Sequence, residues 1–149
     1  MDSDKPSGVF QAIKSGLVLV VDHDEVSRKW LEQTISAQGY SVECAWNQET
    51  ALSVMRLAPD TVRAVVVNTD VAGGNGQATL QAIRDCDRKA RIIAFSMHPG
   101  ISPRMTLAVL PVPLEQKSLG IALHLAMTAG DRRRVNVEVR KNSATRSAA

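Results

Sequence analysis

Leu17 to Leu31 reads LVLVVDHDEVSRKWL, and the order of residue types in it sets the fold class. Leu17–Val21 are five aliphatic residues with no polar alternation. Such a run suits a strand covered on both faces, as parallel sheets require. Gly16 precedes it and Asp22 ends it. Asp24 then offers a short acceptor side chain to the free N–H groups of a helix start. Apolar residues follow at Val26, Trp30, Leu31 and Ile35, the spacing of one helix face. The predicted helix runs from Glu25 to Gln38, with Gly39 as its C-cap.

The same strand-then-helix unit repeats downstream. Ser41–Ala45 is a second strand. Asn47 caps a helix over Gln48–Leu57, with Ala51, Leu52, Val54 and Met55 available to its inner face. Ala64–Val67 is a third strand, and Asn68–Gly76 a loop with three glycines. A helix follows over Ala78–Arg88, with Leu80, Ala82 and Ile83. A fourth strand spans Arg91–Phe95, a fifth Val109–Val112, and a closing helix Glu115–Thr128, with Leu119, Leu123 and Met127 four apart. Strands alternating with helices at this spacing imply right-handed crossovers and one α/β, doubly wound, five-stranded parallel sheet. In such sheets chemistry gathers beyond the carboxyl ends of the strands. The residues to read are therefore Asp22, His23 and Asp24; Asn68, Thr69 and Asp70; Ser96 and Met97; Val112 and Pro113.

Composition narrows the function classes. Aromatic residues make up 3% of the 149-residue chain, too few for a surface that stacks bases. No apolar run reaches the length of a membrane span. The opening MDSDKPSG is polar and does not resemble a signal peptide. Cys44 and Cys86 lack metal-ligand spacing and read as buried or half-buried thiols of a cytoplasmic protein. The net charge of +3 is concentrated at the end: residues 131–149 hold Arg132, Arg133, Arg134, Arg140, Lys141 and Arg146 against Asp131 and Glu138. The organisation expected is a flexible lead over 1–15, with Phe10 and Ile13 able to dock, a domain over 16–129, and a basic tail or linker over 130–149.

Taken together, VLVVDHDEVSRKWL, VVVNTDVAGGNG, IIAFS and PVPL resemble the receiver domain of bacterial response regulators across about residues 16–129. The resemblance implies the flavodoxin-like receiver topology. It also implies a site in which an acidic pair, a phosphoacceptor Asp and a backbone carbonyl hold Mg²⁺. A Lys then pairs with the phosphoryl oxygens, and a Ser or Thr hydroxyl moves to bond them. Here Asp22 and Ser96 stand at matching positions, and Gly76 matches the glycine eight residues past the acceptor. The chain departs from the pattern at three others: His23 stands at the second acid, Asn68 at the acceptor and Val112 at the lysine. An amide forms no aspartyl phosphate, Val cannot clamp phosphate, and His poorly suits a hard cation. The expectation is a pseudo-receiver, not an enzyme, that works through protein–protein contact. Its partner would be another signalling protein, a further domain of the same chain or a second copy. No cofactor is expected, with Mg²⁺ at most weakly held by Asp22, Asp24 and Asp70.

Two alternatives stay open. Asp70 lies two residues past Asn68 and would serve as acceptor if the strand slipped by two, which preserves side-chain facing. The basic segment Arg132–Lys141 would contact nucleic acid, anionic lipid or an acidic partner; its VNVEV stretch with an Arg-rich lead resembles the opening of PilZ-type cyclic-dinucleotide-binding domains. Elsewhere, His23 reads as a partly exposed residue, Ser96 as a locally bonded hydroxyl, and Gly73–Gly76 as a tight turn without a Walker lysine. The connection from Ser96 to Val112 is short and punctuated by Pro99, Gly100 and Pro103. It leaves room for only a turn or two of helix, from Arg104 to Ala108. The family's fourth helix is therefore expected to be short or missing.

Overall fold

The structure is a computed structural model that describes residues 16–70, 76–97 and 105–128. The N-terminal lead, most of the glycine loop and the basic tail with its VNVEV stretch lie outside the described residues.

Five strands and four helices alternate along the chain. They are β1 (Leu17–Val21), α1 (Glu25–Ala37), β2 (Ser41–Ala45), α2 (Gln48–Leu57), β3 (Val62–Asn68), α3 (Gly76–Cys86), β4 (Ile92–Phe95), β5 (Ala108–Leu110) and α4 (Gln116–Thr128). All pairings are parallel and the sheet order is β2-β1-β3-β4-β5. The order reverses between β1 and β3, and in sheets of this kind sites form beyond the carboxyl ends of the strands at that point.

Both sheet faces are covered, as the unbroken aliphatic strands require. Val18, Val20, Ala64, Val66, Ile93 and Phe95 pack with Leu31 and Ile35 of α1 and with Leu119, Ala122, Leu123 and Ala126 of α4. On the opposite face, Leu19, Val21, Val65, Val67, Ile92 and Ala94 pack with Ala51 and Met55 of α2 and Leu80 and Ile83 of α3. Successive strand residues serve opposite faces, which is why no polar residue interrupts Val18–Val21.

Local chemistry sets the helix ends. Asp24 accepts from the Ser27 N–H at 2.8 Å, and Asn47 from the Thr50 N–H at 2.7 Å. Both capping expectations hold. After α1 the chain turns through Gly39 at φ +99°, a conformation that favours glycine.

Several expectations are corrected. The outer residues of α1, Val26 and Trp30, are 77% and 39% exposed. Thr34 takes an inner position instead, and with Leu31 and Ile35 it forms a buried stripe that leaves Val26 and Trp30 outside. β3 begins two residues earlier and takes in Asn68, since its edges find partners in β1 and β4. α3 begins at Gly76 and ends at Cys86. β4 starts at Ile92, not Arg91. β5 ends at Leu110, so Val112 lies beyond it in a bend next to a cis bond to Pro113. Pro111 has no N–H to continue the ladder. Ala108, expected at the end of a helical turn, is the first residue of β5. Cys86 is exposed and Cys44 half-buried.

Candidate functional site

Asp22 follows β1 directly and is fully buried. A buried carboxylate needs donors, and Asp22 has three. Its Oδ1 accepts from the Asp24 N–H and from Asn68 Nδ2, both at 3.0 Å, and its Oδ2 accepts from the Ser27 hydroxyl. Arg28 Nη1 donates to the Asp22 main-chain carbonyl at 3.0 Å, holding the turn from the α1 side.

Asn68 ends β3 and is also buried. Its Nδ2 donates to Asp22, while its Oδ1 accepts from the Asp70 N–H at 2.8 Å. This pairing fixes the amide's orientation: turned over, it would set an oxygen against a carboxylate and an NH₂ against an N–H. Asp70 in turn reaches across to β4. Its Oδ1 accepts from the Ser96 hydroxyl at 2.6 Å and its Oδ2 from the Met97 N–H at 2.5 Å. Between these residues, Thr69 fastens the same strand ends: its N–H and its hydroxyl both donate to the Phe95 carbonyl, at 3.0 and 3.2 Å. Gly76 opens α3 against this turn. A Cβ there would lie 2.4 Å from the Thr69 carbonyl oxygen, so only glycine allows the close approach.

The fold thus joins Asp22 to Asn68 and Asp70 to Ser96, with Asn68 accepting from the Asp70 main chain. His23 is partly exposed, its Nδ1 3.9 Å from Asp22 Oδ1. Asp24 spends its carboxylate on the α1 cap. Val112 is 37% exposed in the bend after β5. Ser96, read as locally bonded, instead meets a residue 26 positions earlier.

The donor set suits Mg²⁺ poorly. The Asn68 group facing Asp22 is an N–H donor rather than an oxygen, and Asp22 already receives three hydrogen bonds. Hard divalent ions need several oxygen ligands. No cluster of three or more His, Cys, Asp or Glu able to hold a metal occurs among the described residues.

Sequence reasoning missed Ser27, and it named Thr69 and Met97 at the strand ends without assigning either a contact. Ser27 carried a usable signal: five residues after Asp22, in the first turn of a helix capped by Asp24, it faces back to the strand end. The Met97 contact is made by main chain and leaves no mark on residue type.

The sequence profile of the response regulator receiver domain matches residues 18–109, more than half of the chain. The chain therefore belongs to the response regulator receiver domain family. Solved structures agree on the fold. A receiver domain protein from Clostridium thermocellum superposes with a TM-score of 0.68 at 15% identity, over 76% of this chain and 95% of its own. The receiver domain of the hybrid histidine kinase CckA gives 0.64 at 22% identity, over 76% and 100%. The response regulator TrrA of Thermotoga maritima, solved with Mg²⁺ and beryllofluoride, gives 0.65 at 20%, over 74% and 98%. No curated protein matches at the level of sequence. No helix among the described residues is long and apolar enough to cross a membrane.

Proposed function

We propose that this receiver domain signals without phosphotransfer, as an interaction module whose site is closed from within. The bond from Asn68 Nδ2 to Asp22 Oδ1 carries this reading. Where the resemblance calls for two carboxylates bridged by a cation, an amide donor bridges directly to a carboxylate. The neutral side chain of Val112 beyond β5 supports it, since valine cannot pair with phosphoryl oxygens as the lysine of the resemblance would.

Acetyl phosphate, or beryllofluoride with Mg²⁺, supplies the test. The expected result is an unchanged intact mass and unchanged amide resonances around Asn68 and Ser96. A covalent mass gain, or shifts centred on these residues, overturns the reading. Asp70 as phosphoacceptor is the competing account, favoured by the Ser96 hydroxyl lying against its carboxylate; a response that disappears in Asp70→Ala would establish it. The partner proposed is another signalling protein, a second copy or a further domain of the same chain. For the basic tail, nucleic-acid binding would vanish on deletion of residues 131–149 and weaken steeply with salt.

A further inference from the structure

We infer that the Asp70 carboxylate is a built-in anionic ligand, a positioning residue that holds the end of β4 in a single engaged state. The inference rests on the phosphorylation-independent reading and specifies how such a site is regulated. Ser96 Oγ and the Met97 N–H converge on the two oxygens of one carboxylate, at 2.6 and 2.5 Å. A hydroxyl and a main-chain N–H aimed together at the rim of a parallel sheet form a pair of donors for an oxyanion. Any external group bearing anionic oxygens would need these same two donors, and Asp70 already holds them.

Three neighbouring contacts aim the carboxylate. Asn68 Oδ1 takes the Asp70 N–H. Thr69 bonds the Phe95 carbonyl through both its N–H and its hydroxyl. Asn68 pairs with Phe95 in the sheet register. Asp70 is therefore delivered from β3 to the first two residues after β4 by a rigid ladder. A ligand tethered this way competes at an effective concentration that free anions in the millimolar range do not match. One consequence is visible at Met97: its N–H is fixed by Asp70 while the residue stays 72% exposed. An apolar side chain is thus presented at a set place on the rim, with no modification required.

Amide hydrogen exchange at Met97, measured on the full ¹⁵N-labelled chain, tests this. In Asp70→Ala the Met97 amide should exchange about tenfold faster or more, the factor expected for losing one hydrogen bond to a charged acceptor. Added formate should slow it again in that variant and leave the wild type unchanged. Asp70→Asn, which keeps the shape and one acceptor oxygen, should fall between the two, and near-ultraviolet circular dichroism verifies that both variants are folded. An unchanged rate in both variants overturns the inference, as does formate having no effect on Asp70→Ala. Failure of the underlying reading looks different. Beryllofluoride with Mg²⁺ would then shift the Ser96 and Met97 amides of the wild type, whatever the exchange rates in the variants.

Discussion

β1 and β3 share five register pairs and bring Asp22, just past β1, beside Asn68 at the end of β3, whereas β4 and β5 share three and β5 gives way to a bend at Val112. The first pair lies at the centre of the sheet, its residues from Val18 to Val21 buried. The second lies at the edge, where Val109 is only half-buried. Polar order follows the same division. At the central corner one carboxylate gathers donors from α1 and β3. Toward the edge, order depends on contacts brought from elsewhere: Asp70 from β3, and Arg84 from α3. Arg84 donates to the carbonyls of Arg88, Ala90 and Met105 at 2.8, 2.6 and 2.7 Å, tying the approach to β4 to the approach to β5. A deeply buried corner can satisfy itself, and a short edge must be held by its neighbours.

The largest effect expected from this contrast is in packing. Leu19→Ala, in the middle of β1, should cost about 2–5 kcal/mol in chemical denaturation, while Val109→Ala on β5 should cost under about 1 kcal/mol. Equal losses would mean that the edge is as well packed as the centre. Asn68→Asp should come next, at about 2–3 kcal/mol, because it removes a charge-assisted bond and sets two carboxylates together. Thermal melts with and without Mg²⁺ check it: the cation should recover part of the loss in the variant and leave the wild type unmoved. Arg84→Ala should cost about 1–3 kcal/mol by leaving carbonyls unpaired, with faster amide exchange confined to the stretch around Ala90 and Leu107.

The smallest effect concerns Cys44 on β2. Burial, then the charge of Glu32, pushes its thiol up to about 11. A folded-state value above the unfolded one means that the neutral thiol contributes stability below the ordinary thiol range and loses it as pH rises toward 11. Cys44→Ala should therefore flatten the stability curve between about pH 9 and 11, and iodoacetamide at pH 8 should label exposed Cys86 before Cys44.

Much of the fold was legible because unbroken aliphatic strands and capped helices are local signals. Leu17–Val21 and Asn47 read correctly for that reason. The edge was harder. Pro111 ended β5 early, and no periodicity marks so short a strand. Val26 and Trp30 matched helical spacing yet face outward, since period alone does not say how wide a buried stripe is. At the site, the positions of Asp22, Asn68 and Ser96 followed from the strand ends. Their partners did not: Asp70 reaches Ser96 and Met97 only because parallel pairing sets distant segments side by side.

The doubly engaged amide of Asn68 also limits which residue the position accepts. A single exchange to aspartate keeps the acceptor for the Asp70 N–H but turns the contact with Asp22 from attraction to repulsion. Asp22 receives the Ser27 hydroxyl on one oxygen and the Asn68 amide on the other, so an acid at position 68 would leave one side of it facing like charge. The exchange that alters the shape least is thus the one that the charge of this buried corner opposes most.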